Sequence, residues 1–228
     1  MKRRITYIVL SLIFLLIHFN SFGQKQKPKN DSSYDEKLLH FGFSLGVNTM
    51  DFNITPSNTT YLYPEVSILN PGPNIQIVAN LRAAKYLDIR FLPGISFGLR
   101  TVRYYYFNKA DTLDPKRLES SFLEFPLLLK FKGDRLNNVR PYFIGGLNYR
   151  YDLAGGKEND DIKLKRPDLY YELGAGLDFY LKYFKFSVEL KMSKGFSNVF
   201  DIKSPPSQYS YAIKEIKSQI WILAFHFE

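Results

Sequence analysis

The sequence predicts an all-β chain: an eight-stranded antiparallel up-and-down transmembrane β-barrel. Three observations carry that expectation. Eight stretches alternate apolar and polar residues, the connections between them alternate long and short, and the series follows a segment with the form of an export signal. A period of two marks a strand with two unlike faces. An even set of such strands, with short turns at one end and long loops at the other, is the outer-membrane barrel plan.

The first element is the signal. Lys2, Arg3 and Arg4 form a basic start, and Ile5 to Phe19 an apolar run. Small residues at Ser21 and Gly23 place cleavage before Gln24. The expected division is therefore a signal peptide at 1–23, a flexible periplasmic N-terminal segment at 24–39 and a barrel domain at 40–228. The apolar run is shorter than the ~20 residues a retained membrane helix needs. Residues Gln24 to Leu39 are polar, Lys-rich and include Pro28, which argues for a flexible lead-in.

Strand one runs from about His40 to Phe52, with Phe41, Phe43, Leu45 and Val47 on one face and Gly42, Ser44, Gly46 and Asn48 on the other. A long loop over 53–71 follows. Strand two, about Gly72 to Ala83, sets Ile75, Ile77, Ala79 and Leu81 against Asn74, Gln76, Asn80 and Arg82. After a minimal turn at Ala84 and Lys85, strand three (about Tyr86 to Leu99) sets Leu87, Ile89, Phe91, Ile95 and Phe97 against Asp88, Arg90, Gly94, Ser96 and Gly98. A second long loop spans 100–118.

Strand four, about Ser120 to Lys132, sets Leu123, Phe125, Leu127, Leu129 and Phe131 against Glu124, Lys130 and Lys132. A compact polar turn over Gly133 to Asn138 leads to strand five, about Val139 to Asp152. There Val139, Phe143, Leu147, Tyr149 and Tyr151 oppose Arg140, Asn148, Arg150 and Asp152. The third long loop covers 153–167. Strand six, about Asp168 to Leu181, sets Leu169, Tyr171, Leu173, Ala175, Leu177 and Phe179 against Asp168, Glu172, Gly174, Gly176 and Asp178.

The connection at Lys182 is short. Strand seven sets Phe184, Phe186, Val188, Leu190 and Met192 against Lys185, Ser187, Glu189, Lys191 and Ser193. The fourth long loop spans 196–212. Strand eight, about Ile213 to Phe227, alternates least well. Trp221, Leu223, Phe225 and Phe227 face one way, with Ile220, Ile222 and Ala224 beside Lys217, Ser218 and His226 on the other.

Period two does not by itself say which face is outside. A lipocalin-like secreted barrel would turn the apolar face inward around a ligand. The polar face, however, is rich in Gly, Ser and Asn, which suits a tight eight-stranded lumen, and the apolar face is almost free of charge. The apolar face is therefore assigned to lipid. Closure then matters, because an open sheet edge in lipid would leave backbone groups unsatisfied. Pro93, Pro126 and Pro141 lie inside strands, where each removes a ladder donor; bulges are expected there.

The formal charge of +9 leaves a basic excess after the signal peptide is removed. Its cations stand beside acids on strand polar faces rather than in a block, so a charge-balanced lumen accounts for them and no nucleic-acid partner is expected. The sequence holds no cysteine, which excludes a lipoprotein anchor, disulfides, thiol nucleophiles and thiolate metal sites.

Candidates for chemistry are few. A Ser/His/acid hydrolase would need His40 or His226 beside a serine facing lipid; both histidines fall on the inner face at strand ends. Two histidines are too few for a metal site, and Glu158, Asp160 and Asp161 lack the spacing of a dedicated calcium loop. No phosphate-binding glycine loop is present. The inward charges Arg82, Asp88, Arg90, Glu124, Lys130, Arg140, Arg150, Glu172, Asp178, Lys185, Glu189 and Lys191 read either as an ion or proton path or as mutually satisfied ion pairs; a narrow lumen favours the pairs. Tyr104 to Phe107, Tyr149, Tyr151, Tyr170 and Tyr171 near the loops, and Phe179, Tyr180, Tyr183 and Phe184 near the turns, are expected to form two interfacial girdles. No catalytic, cofactor-binding or metal residue is assigned, and no cofactor is expected.

The segments LHFGFSLGVNTMDF, PGPNIQIVANLR, YLDIRFLPGISFG, FLEFPLLLKFKG and RPYFIGGLN resemble the PorT family of outer-membrane β-barrel proteins from Bacteroidota. The resemblance spans essentially the whole mature chain; the segments at Pro71 and LEFPLLLK are its more specific parts. It implies a non-enzymatic component of the type IX protein secretion system, which in gliding species also supports motility. The implied partners are outer-membrane lipids, other type IX components and the barrel-assembly machinery during biogenesis. The family supplies no catalytic motif. One departure is that Phe227 is followed by Glu228, where many outer-membrane proteins end on an aromatic residue. A generic small barrel acting as adhesin or envelope stabiliser remains an alternative.

Overall fold

Strands with an apolar and a polar face can remove their edges only by closing on themselves, and this chain does. The structure, a computed structural model, describes residues 29–31, 34–57, 62–66, 70–106, 109–112, 115–155, 164–201 and 211–228. The expected signal peptide lies outside these residues, as do Glu158, Asp160 and Asp161.

Eleven strands are formed among the described residues: β1 (Leu39–Pro56), β2 (Leu62–Val66), β3 (Pro71–Ala84), β4 (Leu87–Phe91), β5 (Gly94–Tyr106), β6 (Lys109–Thr112), β7 (Lys116–Lys132), β8 (Val139–Asp152), β9 (Pro167–Tyr180), β10 (Lys185–Gly195) and β11 (Ile213–Phe227). β4 and β5 are the lower and upper halves of one stave. The ring therefore has eight staves, each antiparallel to its neighbours, and β1 closes it by pairing with both β3 and β11. The expected order and staves are confirmed, with most boundaries within a few residues.

Among the described residues, two expected loops are largely strand. β1 continues to Pro56 and β5 to Tyr106, and the short strands β2 and β6 pair along β5 beyond the end of β3. Thr, Tyr and Val suit an extended pairing at these positions, although their pattern is irregular. Phe52, Leu62, Val102 and Tyr104 on these strand extensions form an apolar cluster with Leu164 and Phe200 of the long connections and their neighbours.

The expected bulges at the three prolines do not occur. The ladders through Pro126 and Pro141 run without a register shift. At Pro93 the stave is interrupted, but β4 and β5 keep the same register on both neighbours. Each proline loses one donor, and the remaining ladder bonds hold the register. Shifts lie instead near strand ends, at Thr55/Pro56, Arg82/Ala84 and Tyr105/Tyr106. Asn137 takes a left-handed φ of 56° in the β7–β8 turn, a conformation Asn tolerates well.

The face assignment is confirmed. Phe41, Phe43, Ile75, Ile77, Leu127, Leu129, Phe143 and Leu173 are exposed on the outer wall, while Ser44, Asn48, Glu124, Lys130, Arg150 and Glu189 are buried inside. Lys217 is a correction: it stands on the outer face and pairs with Glu215 at 3.1 Å. The inward row of β11 is apolar because Ile220, Ile222 and Ala224 pack on Met50, Phe122 and Tyr170. Among the described side chains, which exclude Tyr106 and Phe107, the aromatic girdles are smaller than expected. Tyr104, Tyr170 and Tyr180 are buried in the interior, and Tyr149, Tyr183 and Phe184 are among the aromatics that face outward.

Candidate functional site

The lumen places its charges in tiers. Near the turn end, the Arg90 guanidinium reaches Glu189 at 3.2 Å and Glu228 at 2.7 Å. Glu228 also takes Lys185 at 2.9 Å. The residue that departed from the expected aromatic ending thus turns inward and neutralises two cations. Lys132 meets Asp88 at 2.5 Å, and Asn80 donates to the same carboxylate at 3.0 Å. Lys130 meets Asp178 at 2.8 Å, where Ser187 donates a further bond at 2.6 Å.

The middle tier centres on Glu172 and Glu124. Glu172 receives Arg150, Lys191, Asn148 and Ser193 within 2.8–3.0 Å. Glu124 receives Arg150 at 2.9 Å with Gln76, Asn74 and Ser96. These side chains are buried, and a buried carboxylate is tolerated when its lone pairs are filled. Nearer the loops, Arg100 is held differently: its guanidinium lies 4.3 Å from the Phe52 ring and 5.1 Å from Phe122. Tyr142, Phe122 and Arg100 act here as lumen fillers; no charge pattern marked Tyr142 and Phe122, because they are apolar or neutral residues at inward positions.

The histidines are both on the lumen side. His40 stacks on Tyr34 with ring centres 3.9 Å apart. His226 lies 3.4 Å from Glu189 and is paired in register with Ser44 on one side and Ser187 on the other. Serine, histidine and carboxylate thus meet in one place, but all four side chains are buried in the lumen, and none lies on the lipid face where a lipid ester would arrive.

The turn-end mouth is built in part by described residues of the N-terminal segment, Asn30 and Tyr34–Glu36. A short 3-10 turn at Tyr34–Glu36 inserts there. Tyr34 is buried and donates its hydroxyl to Glu228 at 3.1 Å. Asp35 accepts two bonds from Arg140, at 2.8 and 3.0 Å, while Arg82 donates to its carbonyl. Asn30 donates to the Tyr180 carbonyl at 3.1 Å and its own carbonyl accepts from Arg135. Burial raises the Asp35 carboxyl, but the bonds and charges of Arg140, with Arg135 and Lys132, outweigh it and hold the group below its ordinary value. The segment's polar, Lys-rich composition gave no sign of this anchoring, since its partners lie between 47 and 194 residues away.

Beside the inserted turn is a cavity of about 310 Å³, whose walls include Arg82, Lys85, Lys132, Arg135 and Arg140. At the other end a cavity of about 10 Å³ lies beside Arg100, Asp152 and Asp168. Among the described residues no group of three or more His, Asp and Glu is arranged to hold a metal ion.

Solved structures of similar shape include OprG from Pseudomonas aeruginosa, at 16% identity and a TM-score of 0.43, covering 83% of this chain and 92% of that one. Neisserial surface protein A is similar at 12% identity and 0.41, covering 83% and 98%. AlkL, solved by solid-state NMR in DMPC bilayers, is similar at 12% and 0.42, covering 92% and 96%. These likenesses carry nothing about activity. A search of curated protein sequences finds no match. The family model described as "Outer membrane protein beta-barrel domain" matches residues 22–201. With a closed ring, an apolar outer wall and that match, the chain belongs to the outer membrane protein beta-barrel domain family and resides in the outer membrane.

Proposed function

We propose that this barrel is a non-enzymatic, PorT-like component of the type IX protein secretion system, inserted with its turn end and N-terminal segment toward the periplasm. What supports the family reading is the sequence resemblance, whose segments fold into the contiguous staves β1, β3, β4–β5, β7 and β8. The single structural observation bearing on mechanism is the filled lumen. Arg90, Lys130, Arg150 and Lys191 are fully buried and paired with carboxylates across it. An eight-stranded ring so filled leaves no conduit for a folded cargo. The barrel therefore acts through its rim surfaces on other secretion components, and not as the pore itself. In gliding species it would support motility by the same route.

The decisive experiment is a deletion strain. Cargo bearing the C-terminal type IX signal should remain inside the cell and return to the medium when the gene is restored on a plasmid. Secretion that is unchanged in the deletion would overturn the reading. A second reading, a surface adhesin or envelope stabiliser, is favoured by the raised loop end: β1, β5 and β7 extend past the other staves around an apolar cluster. Normal secretion with lost surface binding or increased envelope leakage would select it. Orientation is tested separately: a Leu153→Cys cell should label with an impermeant maleimide and an Asn137→Cys cell should not.

A further inference from the structure

Six cations line the turn-end cavity, Lys29, Arg82, Lys85, Lys132, Arg135 and Arg140, against the carboxylates of Asp35 and Asp134. Only part of this charge is consumed. Asp88 holds Lys132, and Asp35 holds Arg140. The Arg135 side chain is 97% buried by its 3% exposure, yet its Nη1 makes no hydrogen bond and approaches Asp35 only at 3.7 Å. Arg140 Nε likewise has no acceptor. Both atoms are shut off from the cavity as well as from water, so what the open space of about 310 Å³ meets is a cationic lining that its two acids do not balance.

The chain itself shows which chemistry the cavity accepts. Asp35 inserts a carboxylate between Arg135 and Arg140, so the walls already hold one anion. The space beyond it is bounded by the β3–β4 and β7–β8 turns, which are tied together by the Tyr86 hydroxyl donating to Asp134 at 3.1 Å. Those turns carry the exposed Tyr86 and Leu136, and Tyr183 stands exposed on the β9–β10 turn. Exposed aromatic and apolar side chains at the ends of membrane strands sit at headgroup depth. The cavity therefore lies at the depth of the phosphates of the adjoining leaflet.

We propose that the turn-end cavity is a binding site for a phosphate-bearing anion, presented as the headgroup of an anionic phospholipid of the leaflet beside it. Arg82, Lys85, Lys29 and Lys132 on the lining supply the donors, and Arg135 and Arg140 add positive potential behind them; a guanidinium suits phosphate oxygens by geometry as well as charge. The site goes beyond the secretion reading. Only the identity of the leaflet, periplasmic, rests on the orientation proposed above, and the binding test below does not depend on it.

The purified full chain in a neutral detergent is titrated with short-chain phosphatidylglycerol and followed by native mass spectrometry at fixed salt. Saturable one-site binding is expected, weakened about tenfold by Arg135→Gln combined with Lys85→Gln, the scale of losing a hydrogen bond to a charged group. Heat-modifiable gel migration verifies that the ring is intact. Should Arg135→Gln fail to assemble, Lys85→Glu on the exposed turn is the second variant, with the same direction of effect expected. Inorganic phosphate is the parallel arm: equal affinity for it would overturn the lipid source. Absence of saturable binding, or binding unchanged in the assembled variants, would overturn the site.

Discussion

Ser44 stands directly opposite His226 in the β1–β11 ladder, and this pairing closes the ring. It also fixes the stagger at the seam. His40 lies four residues further along β1, opposite Asn80 of β3, beyond the last β11 partner at Phe43. Both histidines face the lumen near the turn end, as the strand order requires, but the offset puts His40 under Tyr34 and His226 beside Glu189.

That register predicts a cross-link. Leu45 and Phe225 are direct partners on the outer wall. Directly opposed antiparallel residues have Cβ atoms about 4.5–5.5 Å apart, close to disulfide range, whereas diagonal ones are about 7–8 Å apart. The chain has no cysteine of its own. Leu45→Cys with Phe225→Cys should oxidise to a band of altered mobility in unreduced gels of membrane fractions. Leu45→Cys with Leu223→Cys should oxidise poorly. Equal cross-linking of both pairs would contradict the seam register.

The Glu172 carboxylate gathers two cations and two neutral donors. Removing one member of a buried ionic cluster leaves uncompensated charge, at a cost of about 3–5 kcal/mol. Glu172→Leu should therefore lower the urea midpoint of the barrel in lipid vesicles strongly. Adding Lys191→Met removes the charge left alone by that change and should recover part of the loss. If the double variant is less stable than the single by the full cost of Lys191→Met alone, the two residues are not coupled.

The staves were readable from the sequence because lipid imposes one simple demand on half of their residues: Phe41, Ile77, Leu127 and Leu173 had to be apolar wherever they faced out. The lumen imposes no such uniform demand. Leu128, Tyr142, Ile144 and Val78 are inward yet not charged, forming an apolar patch within the polar interior. Their parity was visible, but their partners were not. The mouth was least legible. Asp35 looked like one charge in a polar tail, and only the fold brings Arg140 to it across 105 residues. Prolines misled in the opposite sense, since a lost donor at Pro126 or Pro141 is local and the surrounding ladder outvotes it.

Facing predicts unequal costs along one strand. Val188 lies on the outer row of β10, and Ser187 is buried in the lumen donating to Asp178. Val188→Arg puts charge against hydrocarbon, at about 2–4 kcal/mol near the bilayer midplane. Its penalty should shrink in thinner bilayers, where the guanidinium reaches the interface. Ser187→Arg instead overfills a packed interior, and its cost should not change with lipid chain length. Folding yields in vesicles of two thicknesses separate the two; a thickness-independent loss for Val188→Arg would contradict the outward assignment.

The docked N-terminal segment predicts an acid-triggered release. Asp35 holds Arg140 through two hydrogen bonds, and its carboxyl sits below its ordinary value because those bonds and the surrounding cations outweigh its burial. A carboxyl depressed in the docked state contributes stability that is fully present above its free value. That contribution is lost as pH falls below the free value, about 3.9, toward the lower docked one. The segment should therefore stay docked from neutral pH down to about pH 4 and loosen below it. Lys37 is exposed beside the 3-10 turn, so a dye on Lys37→Cys reports the motion as a fall in fluorescence anisotropy. Asp35→Asn removes the titrating charge. It should weaken docking already at neutral pH and flatten the acid step, leaving the ring's own heat-modifiable migration intact. An anisotropy that falls near neutral pH, or an acid step that survives in Asp35→Asn, would assign the latch to another group.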